Sequence, residues 1–359
     1  MRFRNGQNPI SAATICLLLL TAGAAFSDPN IAVTGVTGTL GEGQTLTISG
    51  LGFGVKSPAA PVLWDDFEGH TVGSPIGAPV VGHYTRTGNT VYSQVDPYTG
   101  GRCAFSPIRA TPSEPGLVAD WIPNLSLNGF ASMKFKIIST YGDVTPHNIK
   151  LIRLNTGDPD PTHGSPNLCV GNDRGYVNFN AQVNNALDGM VYLSGFDELP
   201  EPDDWNSISV WDHLGTPNVA NGFAGRQIGG SVSQRSNIIT QQSAAGFLGG
   251  LRAAYFCGYI SRDGYDADLY LDDVYADTTL ARVQIVGPDG GNHEMQIPVS
   301  WNSNSIQVTA HTGRYPPGTQ VQLTVYDAEN RASNPISLTV GNGSTDPGPP
   351  GSPGQPSRQ

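Results

Sequence analysis

Apolar and polar residues alternate along most of this chain with a period of two, the spacing of a strand that buries one face. Near the start, Ile31 to Thr37, Gly41 to Gly50 and Leu51-Gly-Phe-Gly54 read as opening strands around a glycine turn. The same rhythm closes the chain in Trp301 to Thr309, Pro316 to Tyr326 and Ile336 to Val340. Between these ends, Met133–Ile137, Ile149–Leu154, Tyr176–Val183, Trp205–Trp211, Leu251–Ile260 and Leu269–Tyr275 each alternate as half-buried strands do. An all-β chain follows. The opening strands are too few to bury a core, since an isolated hairpin is marginal in water, and their complement lies at the far end. We therefore expect residues 30–61 and 281–341 to build one discontinuous sandwich, with residues 62–280 folded as a second sandwich inserted into it.

Ahead of the strands, Arg2 and Arg4 precede an apolar run from Ala12 to Ala25, and Ala25-Phe-Ser27 offers small residues at a cleavage position. This predicts a secretory signal over residues 1–27 and a secreted, extracellular or periplasmic protein. The run falls short of the roughly 20 residues that a bilayer span needs, so no membrane span is expected in the mature chain. Residues 342–359, rich in Pro, Gly and Ser, predict a tail with nothing to bury.

The 45 Gly and 28 Pro are punctuation for many turns, in keeping with the strand reading. A formal charge of -11 excludes a nucleic-acid partner, because phosphate neutralisation needs clustered Lys and Arg. It suits calcium better. Removal of the signal leaves Cys103, Cys169 and Cys257, which permit at most one internal disulfide.

Thr45-Leu-Thr-Ile-Ser-Gly-Leu-Gly-Phe-Gly54, together with Pro317-Gly-Thr-Gln-Val-Gln-Leu-Thr-Val325 and Asn334-Pro335, resembles the IPT/TIG family of immunoglobulin-like domains. That resemblance implies an immunoglobulin-like scaffold that meets a protein partner or a surface. Trp64-Asp-Asp-Phe-Glu-Gly69 and Leu269-Tyr-Leu-Asp-Asp-Val-Tyr275 are similar to the first and last strands of carbohydrate-binding modules with jelly-roll or concanavalin-like folds. In those modules acidic residues of the terminal strands hold a structural calcium, which implies a jelly roll for the insert.

Asp66, Glu68, Asp272 and Asp273 are the candidate ligands for Ca2+, an ion that takes six to eight oxygens. Asp273 falls in one row with Leu269, Leu271 and Tyr275, where a carboxylate needs a cation or donors; hydrogen bonds to backbone and Arg282 are the alternative. For a glycan, the candidates are the aromatic and amide residues that share strand faces: Tyr176, Asn178 and Asn180; Trp205 and Trp211; Tyr255 and Tyr259. Tryptophans at strand ends also cap cores, so Trp205 and Trp211 carry both readings.

No retaining-glycosidase carboxylate motif, HExxH or GxSxG occurs. Tyr255-Phe-Cys-Gly-Tyr259 is similar to the tyrosine strand of alginate lyases, and the resemblance implies Arg153, His147 and Tyr259 as neutraliser and base. His70, His83, His163, His213, His293 and His311 are expected in turns or at the surface. The expected function is non-catalytic binding of a polysaccharide or surface glycan by the insert. A lyase acting on uronate polymers is the alternative, and a structural adhesin the third class.

Overall fold

The computed structural model describes residues 31–108, 116–121, 124–139, 150–156, 166–172, 178–186, 189–193, 197–198, 204–241, 249–256, 267–288 and 290–341. All regular structure among them is β-strand. The predicted signal and tail, and with them Tyr176, His147, His163 and Tyr259, lie outside the described residues.

Both ends of the chain build one sandwich. Ala32–Thr37 pairs antiparallel with Thr45–Leu51, which pairs in turn with Ser305–Thr309. His293–Trp301 is the hinge between the layers. Its second half pairs with Ser305–Thr309, its first half with Arg282–Val286, and the register shifts between Pro298 and Ser300, where the strand changes layer. Gln320–Tyr326 and Ile336–Thr339 complete the second layer.

The core between the layers follows from alternation. Leu46 and Ile48 point inward at 0% exposure while Thr45 and Ser49 face out, and Val321, Leu323 and Val325 do the same across from them. Each such fully buried aliphatic side chain contributes roughly 1.5–3 kcal/mol. Gly50 is required here, because a Cβ would stand 2.1 Å from the Ala32 carbonyl and 2.2 Å from the Phe53 ring.

The insert is the second sandwich. Its smaller sheet contains, in spatial order, Gly189–Tyr192, Asn178–Ala186, Pro166–Asn172, Lys150–Thr156, Leu251–Phe256 and Leu117–Asp120. The larger sheet centres on Ala267–Asp277, flanked by Asn128–Ser139 on one side and by Cys103–Ile108 and Leu63–Asp65 on the other. Asn206–His213, Gly222–Ile228 and Ser231–Ile238 extend it beyond Asn128–Ser139.

A bulge in Ala267–Asp277 changes the expected face of one residue. The register slips between Asp272 and Tyr275, and Asp273 takes φ of 48°. Leu269 and Leu271 before the bulge and Val274 and Ala276 after it all enter the sandwich core. Asp273 therefore does not stand in the apolar row, which corrects the reading from strict alternation.

The outer face of the larger sheet is covered by the immunoglobulin-like sandwich. Trp64, Phe130, Trp211, Tyr275 and Leu280 of the insert pack with Met295 and Ile297. Asn206–His213 is accordingly buried on both faces, with only His213 partly exposed.

Candidate functional site

The glycan-face expectation divides between two sheets. Trp205 and Trp211 flank or lie in the larger sheet, whereas Tyr255, Asn178 and Asn180 belong to the smaller one. Trp211 is 3% exposed, donates from Nε1 to Gln234 Oε1 at 2.8 Å and sits in the contact between the two sandwiches. Trp205 is also buried, donating to the Asp96 carbonyl at 2.9 Å and packing edgewise on Tyr98. Neither tryptophan lines a groove. Their exposed-looking polar neighbours Ser207 and Ser209 are consumed in the same contact, binding Lys134 and His293. Asn178 and Asn180 are placed by register opposite Glu198 and Gly171.

Tyr255 has different surroundings. In Leu251–Phe256, Ala254 and Phe256 enter the core, so Tyr255 takes the outer face of the smaller sheet. It stands opposite Arg153 on one neighbouring strand and opposite Val118 on the other, while Asn155 stands opposite Ala253. Tyr255, Arg153, Asn155 and Arg252 are all buried.

Burial pushes the Tyr255 hydroxyl above its ordinary pKa, opposed by the charge of Arg86, a hydrogen bond from Asn155 and the charges of Arg252 and Arg153. The phenol stays protonated at neutral pH, held beside guanidinium groups whose charge would stabilise an anion. Asn155 Oδ1 accepts no hydrogen bond among the described residues, an arrangement that costs about 1–3 kcal/mol when buried. The sequence had singled out Arg153 and Tyr255 separately; Asn155, Arg252 and Arg86 were missed, because only strand pairing brings them to Tyr255.

The acidic candidates form a second assembly, at the junction of the two sandwiches. Asp272 accepts from the Tyr98 and Thr99 amides at 2.9 and 3.3 Å, and Glu68 accepts from the Gly101 and Arg102 amides at 2.7 and 2.8 Å. One loop thus clasps both carboxylates. Burial first and the charge of Asp273 raise the Asp66 carboxyl to about 6, against the opposing hydrogen bond from the Glu68 amide. Asp272 is raised well above its usual value by burial first and by Asp273 second.

Asp273 meets His311 rather than Arg282. Its Oδ2 lies 2.8 Å from His311 Nε2, and Glu42 Oε1 lies 3.1 Å from Nδ1. Burial alone would lower the imidazole pKa, but the charges of Asp273 and Glu42 outweigh it and raise it well above the ordinary value. Arg282 instead lies against the Tyr326 and Phe130 rings, at 3.8 and 4.6 Å. His311 and His293 are buried, at 5% and 1% exposure, which corrects their expected surface placement.

The donor set of Asp66, Glu68, Asp272 and Asp273 is all oxygen, as calcium requires, and neighbouring carboxylates add to the raised proton affinity of Asp66 and Asp272. A different trio, Asp273, Glu294 and His311, brings its ligand atoms within 4.8 Å of one another. Those atoms already serve ion pairs: Glu294 takes Lys134 at 2.9 Å and the Tyr98 hydroxyl at 2.6 Å. Among the described residues the four carboxylates do not bring three ligand atoms within 4.8 Å of one another, and their oxygens likewise already serve partners: the Tyr98, Thr99, Gly101 and Arg102 amides and His311.

No protein-family profile matches the chain, and no curated protein matches it. Solved structures similar to it include the endo-β-1,4-glucuronan lyase of the fungus Trichoderma reesei, with 12% identity, 62% of this chain and 97% of that chain covered, and a TM-score of 0.42. Alginate lyase Aly36B shares 11% identity over 61% of this chain and 98% of that one, with a TM-score of 0.44. Alginate lyase vAL-1 from Chlorella virus shares 10% identity over 53% and 89%, with a TM-score of 0.40. Assignment of a function rests on the chemistry of the site itself.

Proposed function

We propose that the inserted sandwich is a polysaccharide lyase that cleaves a uronate polymer by β-elimination at Tyr255. The observation that carries this reading is a buried, protonated phenol held among Arg153, Arg252, Arg86 and Asn155 on the outer face of one sheet. Elimination removes the proton at C5, forms the C4–C5 double bond and breaks the bond from C4 to the glycosidic oxygen. The carbanion-like transition state needs its carboxylate neutralised, which guanidinium and amide donors supply. The departing oxygen needs a proton, which Tyr255 carries at neutral pH and can give because the neighbouring guanidinium charges stabilise the phenolate left behind. The base that takes the C5 proton is proposed among Tyr259 and His147, outside the described residues.

Incubation with polyglucuronate, polymannuronate and polygalacturonate should generate unsaturated ends that absorb in the ultraviolet. Tyr255→Phe should cut the rate by about 100-fold or more while leaving polymer binding in place. Absence of unsaturated ends across the panel would remove the lyase reading.

A second reading, glycan binding without cleavage, uses the same face and predicts retention on those polymers with no product. In either case the immunoglobulin-like sandwich is proposed as an IPT/TIG-like scaffold presenting the insert outside the cytoplasm, with a protein partner of its own. Calcium is proposed at Asp66, Glu68, Asp272 and Asp273, as a structural ion that relieves carboxylate repulsion and takes no part in the elimination.

A further inference from the structure

Arg86 enters the site from a part of the insert that the sheet order does not name. The Thr85 amide donates to the Val118 carbonyl at 2.8 Å and the Val118 amide donates to the Arg86 carbonyl at 2.9 Å, so Arg86 forms an antiparallel bridge with Val118. Val118 stands opposite Tyr255, and Tyr255 opposite Arg153. Residues directly opposite in antiparallel pairs share a face. Arg86, Val118, Tyr255 and Arg153 thus form one row across four chain segments. With strands about 4.8 Å apart, the Arg86 backbone lies about 10 Å to one side of Tyr255, and that of Arg153 about 5 Å to the other.

Along this row a guanidinium, the phenol and a second guanidinium follow one another, the first partly exposed and the other two buried, at 2% exposure for Tyr255 and 6% for Arg153. We infer that Arg86 and Arg153 bind carboxylates of two different uronate units, one on each side of the bond cut beside Tyr255, so that Arg86 is a specificity-determining residue. The inference rests on the lyase reading for the word "cut" but not for recognition. Arg86 is partly exposed, unlike the buried Arg153, which suits the outer of the two subsites. The consequence is endolytic action on runs of consecutive uronates and poor use of polymers in which uronates are isolated between neutral sugars.

The test compares wild type, Arg86→Ala, Arg86→Lys and Arg86→Gln for binding to polyglucuronate and polymannuronate, with a neutral β-1,4-glucan as control, and for release of unsaturated ends. Arg86→Ala should weaken polyuronate binding, read directly as Kd, by about 10-fold or more. Arg86→Lys should recover part of it. Arg86→Gln keeps most of the stem, so equal losses in Arg86→Ala and Arg86→Gln with unchanged melting temperatures assign the effect to charge. Unchanged binding in Arg86→Ala, or a loss shared with the neutral glucan, would overturn the inference, as would failure of wild type to bind any polyuronate. If wild type binds but releases no unsaturated ends while Arg86→Ala loses binding, the subsite stands and the lyase reading falls.

Discussion

Asp273 and His311 are 38 positions apart in the chain, belong to different sandwiches, and meet with 2.8 Å between Oδ2 and Nε2. Asp273 reaches His311 because the bulge gives it φ of 48° and turns it out of the insert toward the scaffold. Trp64 packs edgewise on the imidazole, with ring centroids 5.1 Å apart. An ion pair of this kind, shielded from water, couples the two sandwiches through their charge states.

That coupling sets the direction of the pH dependence. The raised His311 pKa gives stability that is complete below the unfolded imidazole value and is lost as pH climbs through the folded value. Asp65, raised to about 7 by burial and by Asp66, binds its proton more tightly in the folded state, so its contribution also declines, between about pH 4 and 7. In chelator-containing buffer the melting temperature should therefore fall from about pH 4 to 8. Asp65→Asn should flatten the acid half of that slope and His311→Gln the alkaline half; a melting temperature that rises over the window would contradict both assignments.

Lys134 and Glu294 form a buried ion pair across the junction, 2.9 Å apart with side chains 4% and 1% exposed. Lys134→Met alone should cost about 3–5 kcal/mol in denaturant unfolding, because it strands a buried carboxylate. Combining it with Glu294→Leu should recover much of that loss. A single substitution no worse than the double would show that the pair is not desolvated in solution.

Gly225 lies beneath Trp211. A Cβ there would come within 2.4 Å of the indole, so Gly225→Ala should destabilise by about 1–3 kcal/mol through overpacking. Trp211→Phe in the same chain should relieve part of the strain. By contrast, Trp211→Ala should lower stability and leave polysaccharide affinity per folded molecule unchanged, since the ring is in the junction.

For calcium, mass action predicts stabilisation of about 2.7 kcal/mol at a hundredfold excess over Kd. Chelation should lower the melting temperature of wild type, and Asp273→Asn should lose that response. Calorimetry showing no calcium uptake would leave the four carboxylates as a hydrogen-bonded cluster.

Alternation by itself determined that the chain is all β and where its strands run, because a strand that buries one face must repeat every two residues: Thr45–Leu51 and Gln320–Tyr326 are legible on inspection. It also singled out Tyr255, while Arg153 was marked only by the resemblance to alginate lyases, and neither showed that the two stand opposite each other. Tertiary structure decided the rest. Asn206–His213 is buried on both faces, so its polar-looking face with Trp211 could not be told from an open groove until the second sandwich was in place. The bulge at Asp273 leaves no mark on hydrophobic period, since it adds one residue to a strand that stays apolar on either side. His311 looked like a turn residue because its carboxylate partners come from Thr45's neighbour Glu42 and from the insert, and Arg86, Asn155 and Tyr255 come together only through cross-strand register. Pairing between strands distant in sequence is a property of packing and hydrogen bonding, and no local pattern of side chains encodes it.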